Sequence, residues 1–134
     1  MTHRSTFRAA LGLALLMIAG RAVADEPGIG KAPVPVTGKQ VYETVCQACH
    51  MADGKGAVGA GAFPALASNP RLGTAAYPIM MVTRGRGGMP WFTDILTPAQ
   101  LAAVITYVRT NFGNHYAQPV TEADVARMIP PPGG

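Results

Sequence analysis

Two stretches of the chain carry apolar side chains at helical spacing behind a complete start signal. In "TPAQLAAVITYVRTNFG", residues 97 to 113, Leu101, Val104, Ile105 and Val108 fall on one face. Thr97 stands as N-cap, Gln100 closes a capping box, Pro98 takes the first helical position and Gly113 is the expected C-cap. In "TGKQVYETVCQACH" a second capping box, Thr37 with Gln40, precedes Val41, Tyr42 and Val45 at the same periodicity. This predicts a helix from about Gly38 to Ala48 that delivers Cys46, Cys49 and His50 at its C-terminal end. A shorter helix is predicted in "GTAAYPIMMVTRG", with Thr74 as cap, Pro78 in the first turn, an apolar run from Ile79 to Val82, and an end at Gly85.

Between these elements the periodicity stops. Residues 51 to 70 and 84 to 96, "RGRGGMPWFTDIL", are punctuated by Gly and Pro and read as loops. Glycine so closely spaced suits a backbone that passes tightly over a flat ligand. Residues 25 to 36, "DEPGIGKAPVPV", read as a mobile mature N-terminus, and "TEADVARMI" predicts one short helix in the tail before the closing "PPPGG". No strand pattern of useful length and no repeat is present, so the predicted class is all-α with about 3–5 helices.

The N-terminus changes the charge argument. Arg4 and Arg8 precede an apolar run from Ala9 to Ala19, and Ala22, Val23 and Ala24 form an A-x-A cleavage pattern, which together read as a secretory signal peptide cleaved after Ala24. The run is shorter than the roughly 20 residues a membrane span needs, and no other stretch is long and apolar enough. Arg4, Arg8 and Arg21 leave with the leader, so 11 Lys+Arg become 8 against seven Asp+Glu and the formal charge falls from +4 to +1. Nucleic acid or an acidic membrane surface is therefore not implied as a partner.

About 110 residues remain, enough for one small domain. With 7% aromatic residues, 16 Gly and 12 Pro, such a chain gains from a cofactor as core filler. Export also places the two cysteines in an oxidising compartment.

Cys46, Cys49 and His50 admit three chemistries: a redox dithiol, half of a zinc site, or, because His follows the second Cys directly, the attachment site of a c-type haem. A thioredoxin-like dithiol wants a βαβ surround. A zinc site wants a fourth ligand, for which only His115 or a carboxylate could serve, from regions without ligand spacing. Thiols three residues apart near a helix end can both reach one edge of a porphyrin, and the adjacent imidazole can then bind iron.

The order of helix, C-x-x-C-H, glycine-rich loop, short helix, "GGMPWF" and long C-terminal helix resembles the class I (monohaem) bacterial cytochromes c over roughly residues 38 to 112. The resemblance implies the small cytochrome c fold around one covalently bound haem c, with residues 113 to 134 as a C-terminal tail. It implies thioethers at Cys46 and Cys49 and His50 as one axial ligand to iron. Among the methionines, Met51 adjoins His50, and Met80 and Met81 lie in a helical apolar run where a thioether is usually filler. Met89 precedes Pro90 in an extended glycine-rich stretch, matching the family's Met-Pro pattern, and is the implied second ligand. The family further implies that a proline carbonyl, here that of Pro64, accepts from the imidazole while Leu66 packs on the haem. Trp91 and Phe92 are expected in the haem crevice, and Tyr42 and Tyr107 at the contact between the first and last helices. Arg84 and Arg86 flank the Met loop, where they could meet a propionate or an acidic partner.

A His/Met pair raises the reduction potential, which suits a periplasmic electron carrier rather than an enzyme. "YVRTNFGN" and the proline-containing tail resemble small cytochrome subunits that accompany dehydrogenases. The expected donor is thus a periplasmic dehydrogenase of flavin or quinone type, with a downstream cytochrome or terminal oxidase as acceptor in the respiratory chain. The competing readings are a freely diffusing donor to a terminal oxidase and, more remotely, an open-site haem enzyme or gas-binding protein.

Overall fold

The computed structural model describes residues 37–59 and 61–131. The expected export signal and the expected mature N-terminal stretch, up to residue 36, lie outside the described residues.

The chain enters through α1 (Gly38–Val41), widens into a π-helical turn (Tyr42–Cys46) and leaves through α2 (Gln47–His50), making one helical rod that reaches His50 itself. Thr37 and Gln40 cap its start in both directions, the Gln40 amide donating to Thr37 Oγ1 and the Thr37 amide to Gln40 Oε1. In the wide turn the Gln47 amide donates to the Tyr42 carbonyl, five residues back.

The predicted all-α class holds for most of the described residues but not for the loop after His50. There β1 (Ala57–Val58) pairs antiparallel with β2 (Ala62–Phe63), in the register Ala57 opposite Phe63 and Val58 opposite Ala62. Two residues per strand leave no period to read in the sequence.

A 3₁₀ turn (Pro70–Gly73), capped by the Asn69 side chain, leads into α3 (Ala76–Arg84). Thr74, the expected cap, instead follows the 3₁₀ turn and offers its carbonyl to Tyr77, so α3 starts a residue later with Ala75 as N-cap. α4 (Pro98–Thr110) begins as its sequence predicts, on Thr97, Pro98 and Gln100. Its C-cap is Asn111 rather than Gly113, because Phe112, at φ 57°, turns in against the Tyr42 ring 4.8 Å away. α5 (Glu122–Ala126) carries a third capping box, Thr121 with Asp124.

The core is the meeting of these helices. Val41, Tyr42, Leu101, Val104, Ile105 and Val108 are buried together, and Val120 and Val125 extend the same cluster into the chain beyond α4. Arg109, 4% exposed, ties that extension down: Nε donates to Leu72 O at 2.9 Å, Nη2 to Gly73 O at 3.2 Å and Nη1 to Gln118 O.

The crossing of α1 on α4 depends on Gly38. A Cβ there would lie 2.1 Å from Ala103 O and 2.8 Å from Tyr107 Cβ. Alanine at this position gains at most about 1 kcal/mol of helix propensity, whereas forced overpacking costs about 1–3 kcal/mol. Gly38→Ala is therefore expected to lower the thermal midpoint of the protein by several degrees in a circular-dichroism melt. An unchanged or higher midpoint would show that the crossing is not close-packed.

Candidate functional site

The helical rod, the 51–70 loop, α3, the loop after α3 and the inner face of α4 enclose a cavity of about 730 Å³, within the range of ligand-binding pockets. Val45, Leu66, Leu72, Val82, Phe92, Val104, Ile105 and Val108 make most of its wall apolar. Into this wall the rod brings Cys46, Cys49 and His50, and the loop after α3 brings Met89.

His50 is 8% exposed, and its Nδ1 lies 2.9 Å from Pro64 O. A carbonyl oxygen only accepts, so Nδ1 must carry the proton, which leaves Nε2 as the nitrogen with a free lone pair. The loop that supplies Pro64 is itself fastened: Gly54 O accepts from the Leu66 and Ala67 amides at 2.7 and 2.9 Å. Asn114, 2% exposed, donates through Nδ2 to Leu66 O at 2.8 Å and to Val108 O at 2.9 Å. Its Oδ1 accepts from the Asn69 amide at 2.9 Å. Gly56, at φ 67°, lets the chain pass close beneath this loop, since a Cβ there would meet Phe63 O at 2.1 Å.

Cys46 and Cys49 are free thiols, Cys46 partly buried and Cys49 exposed. Burial, and then the neighbouring Cys49, push the Cys46 thiol up to about 11, so it stays neutral in its apolar surroundings. Among the described residues no three His, Cys, Asp or Glu side chains are grouped to hold a metal ion. The donor set suits a planar iron cofactor: two thiols three positions apart, an imidazole nitrogen and a thioether sulfur in one apolar cavity can tether and ligate a haem.

Met89 is held by backbone. The Arg86 amide donates to Met89 O at 2.9 Å and the Met89 amide to Arg86 O at 3.1 Å, closing a tight turn over Gly87 and Gly88, with Gly87 at φ 59°. Gly85, at φ 66°, ends α3 beneath it, where a Cβ would meet Met89 O at 2.6 Å. Beyond the turn the Phe92 amide donates to Val82 O at 2.8 Å.

Not every expected position falls in the cavity. Trp91 does not line it; the residue is 58% exposed and its Nε1 donates to Asp94 Oδ2 at 2.8 Å. Phe92, whose amide is anchored to Val82 O, takes the cavity side instead. Arg86 lines the cavity whereas Arg84 is an exposed end of α3, and His115 is exposed. Met81 lines the cavity although its helical setting read as filler, while Met80 does not. Arg71 and Tyr77 also line it, the guanidinium 6.0 Å from the ring centroid, and neither carried a signal in its local sequence. The Tyr42 and Tyr107 rings meet at 5.7 Å between centroids.

The family model described as "Cytochrome C oxidase, cbb3-type, subunit III" matches residues 34–108. The chain is 32% identical over 106 residues to proteins named "Alcohol dehydrogenase (quinone), cytochrome c subunit" from Gluconacetobacter polyoxogenes and Komagataeibacter europaeus, covering 69% of this chain and 22% of each relative. It is 30% identical over 110 residues to the "Fructose dehydrogenase cytochrome subunit" of Gluconobacter japonicus, covering 69% of this chain and 21% of that protein. The chain thus spans about a fifth of the length of the relatives it matches. By the family match over more than half its residues and the C-x-x-C-H motif on the cavity wall, the chain belongs to the c-type cytochromes represented by that family, and its cofactor is a covalently bound haem c.

Proposed function

We propose that the protein is an exported monohaem cytochrome c, cleaved after Ala24 and working in the periplasm, that takes single electrons from a dehydrogenase and passes them toward the respiratory chain. The observation that carries the reading is the shared lining of one apolar cavity by Cys46, Cys49, His50 and Met89. The relatives named as cytochrome subunits of alcohol and fructose dehydrogenases support a dehydrogenase as the electron donor. Export rests on the N-terminal sequence pattern, and among the described residues no helix is long and apolar enough to cross a membrane.

Bound haem supplies a one-electron couple whose potential depends on its axial ligands. The chain's residues do the rest. Cys46 and Cys49 would tether the group by thioethers, and His50 would bind iron through Nε2 while Nδ1–H on Pro64 O fixes the ring. Met89, on the turn after α3, would supply a soft sulfur, which favours the ferrous state. Leu66, Phe92 and the α4 valines and isoleucine exclude water. Iron held by both His50 and Met89 would have no position left for a substrate, so the chain would act as a carrier and the bond chemistry would belong to its partner.

The test is the purified protein reduced in the presence and absence of carbon monoxide, with the weak sulfur-to-iron band read in the ferric form. The expected result is that band in the ferric form and no carbon monoxide spectrum. Ready carbon monoxide binding with no sulfur band would instead assign an open-site haem protein. Copurification with a flavoprotein or quinoprotein supports the dehydrogenase partner, and rapid oxidation by a terminal oxidase with no stable partner would overturn it.

A further inference from the structure

The residue after His50 stands in a backbone conformation that methionine avoids. Met51 has φ 65° and ψ 162°, a region that is essentially glycine's alone. Outliers of this kind persist only where the surroundings over-determine them. Here two groups hold the turn: the Tyr42 hydroxyl donates to Met51 O at 2.7 Å, and the Gly54 amide donates to the same oxygen at 3.2 Å.

Tyr42 is built for this contact. It is 1% exposed, with its ring packed 5.7 Å from that of Tyr107 and 4.8 Å from that of Phe112, so the hydroxyl has one direction to face. Burial pushes its pKa up to about 12, with Cys46, Tyr107 and Asp53 adding, and the hydroxyl remains a donor at every ordinary pH.

From Met51 the constraint runs on through the loop. Gly54, whose amide meets Met51, offers its own carbonyl to the Leu66 and Ala67 amides. Those two residues follow Pro64, whose carbonyl takes the Nδ1 proton of His50. The Gly56 amide returns to His50 O at 3.1 Å. The circuit therefore begins beside His50 and closes on its ring.

We propose that Tyr42 is a positioning residue for the His50 imidazole: its hydroxyl holds the Met51 turn and, through Gly54 and the Pro64 loop, the hydrogen bond on Nδ1. The proposal rests on the reading of His50 as an iron ligand. A well-made bond from Nδ1 raises the basicity of Nε2 and so favours ferric iron. Loosening the turn weakens that bond and raises the midpoint potential.

Tyr42→Phe keeps the ring and removes only the donor. In the haem-loaded protein the expected result is a several-fold higher ferrous-to-ferric ratio at a fixed poise, with faster hydrogen exchange at the Leu66 and Ala67 amides. Met51→Gly adopts the turn unaided, so its potential stays at the parent value and its thermal midpoint rises. In that background Tyr42→Phe moves the potential less than in the parent, a coupling that a double-mutant cycle reads directly. A potential unmoved by Tyr42→Phe, or moved equally in both backgrounds, overturns the proposal and leaves Tyr42 a packing residue. If Tyr42→Phe alone does not fold, the double variant must fold with the potential of Met51→Gly; a double variant that also fails to fold overturns it. Failure of the underlying reading shows separately, as a parent protein whose spectrum lacks a histidine-bound iron before any variant is compared.

Discussion

Serine in place of both Cys46 and Cys49 is expected to abolish covalent haem and most of the fold's stability together. The two thiols are the only cysteines of the chain, so no other thioether can form. A cavity of about 730 Å³ is large beside the surrounding core. Without the haem its apolar wall of valine, leucine, isoleucine and phenylalanine faces water instead of a buried ring, and a small domain has only about 5–15 kcal/mol in total to lose. The variant should show no haem stain after denaturing electrophoresis. Its far-ultraviolet circular dichroism should melt without a cooperative transition, or recover one only with excess haem held by His50 and Met89 alone. Covalent haem in the double variant, or a haem-free variant that melts at the parent's midpoint, would sink the assignment of these residues as tethers.

What the sequence disclosed and what it hid divide by range. The capping boxes at Thr37 and Thr97 were legible because each needs only a hydroxyl and an amide side chain three positions apart. The motif on the first helix was legible for the same reason, since Cys46, Cys49 and His50 all reach one cavity from one rod. Long-range restraints were not. Arg109 finds its carbonyls at Leu72 and Gly73, and Asn114 reaches Leu66, 48 positions away, yet in the sequence both sit among ordinary residues near the end of a helix. The short strand pair, the one-residue shift of α3 and the outward turn of Trp91 likewise follow from tertiary contacts of the loops, which no local period encodes. The Met51 turn was hidden for a different reason: a methionine at positive φ contradicts local propensity, and only its hydrogen bonds make it intelligible.

Two methionines line the cavity, and alanine at each in turn separates the ligand from the filler. Met81 lies on α3, in regular helix, where any apolar side chain of its size serves the wall. Met89 sits at the end of a turn that Gly85, Gly87 and the paired bonds with Arg86 bring to one position. Those restraints are all backbone, so they survive truncation of the side chain and Met89→Ala should still fold. Its ferric spectrum should lose the sulfur-to-iron band, its reduced form should bind carbon monoxide, and its midpoint potential should fall by on the order of 0.1–0.3 V, part of the roughly 0.8 V that axial ligation spans. Met81→Ala should keep the band and lose only packing, about 2–5 kcal/mol for a buried methionine and less here, where the side chain is half-buried. The opposite pattern, with the band lost in Met81→Ala and kept in Met89→Ala, would move the ligand onto α3 and make the glycine-built turn a mere lid on the cavity.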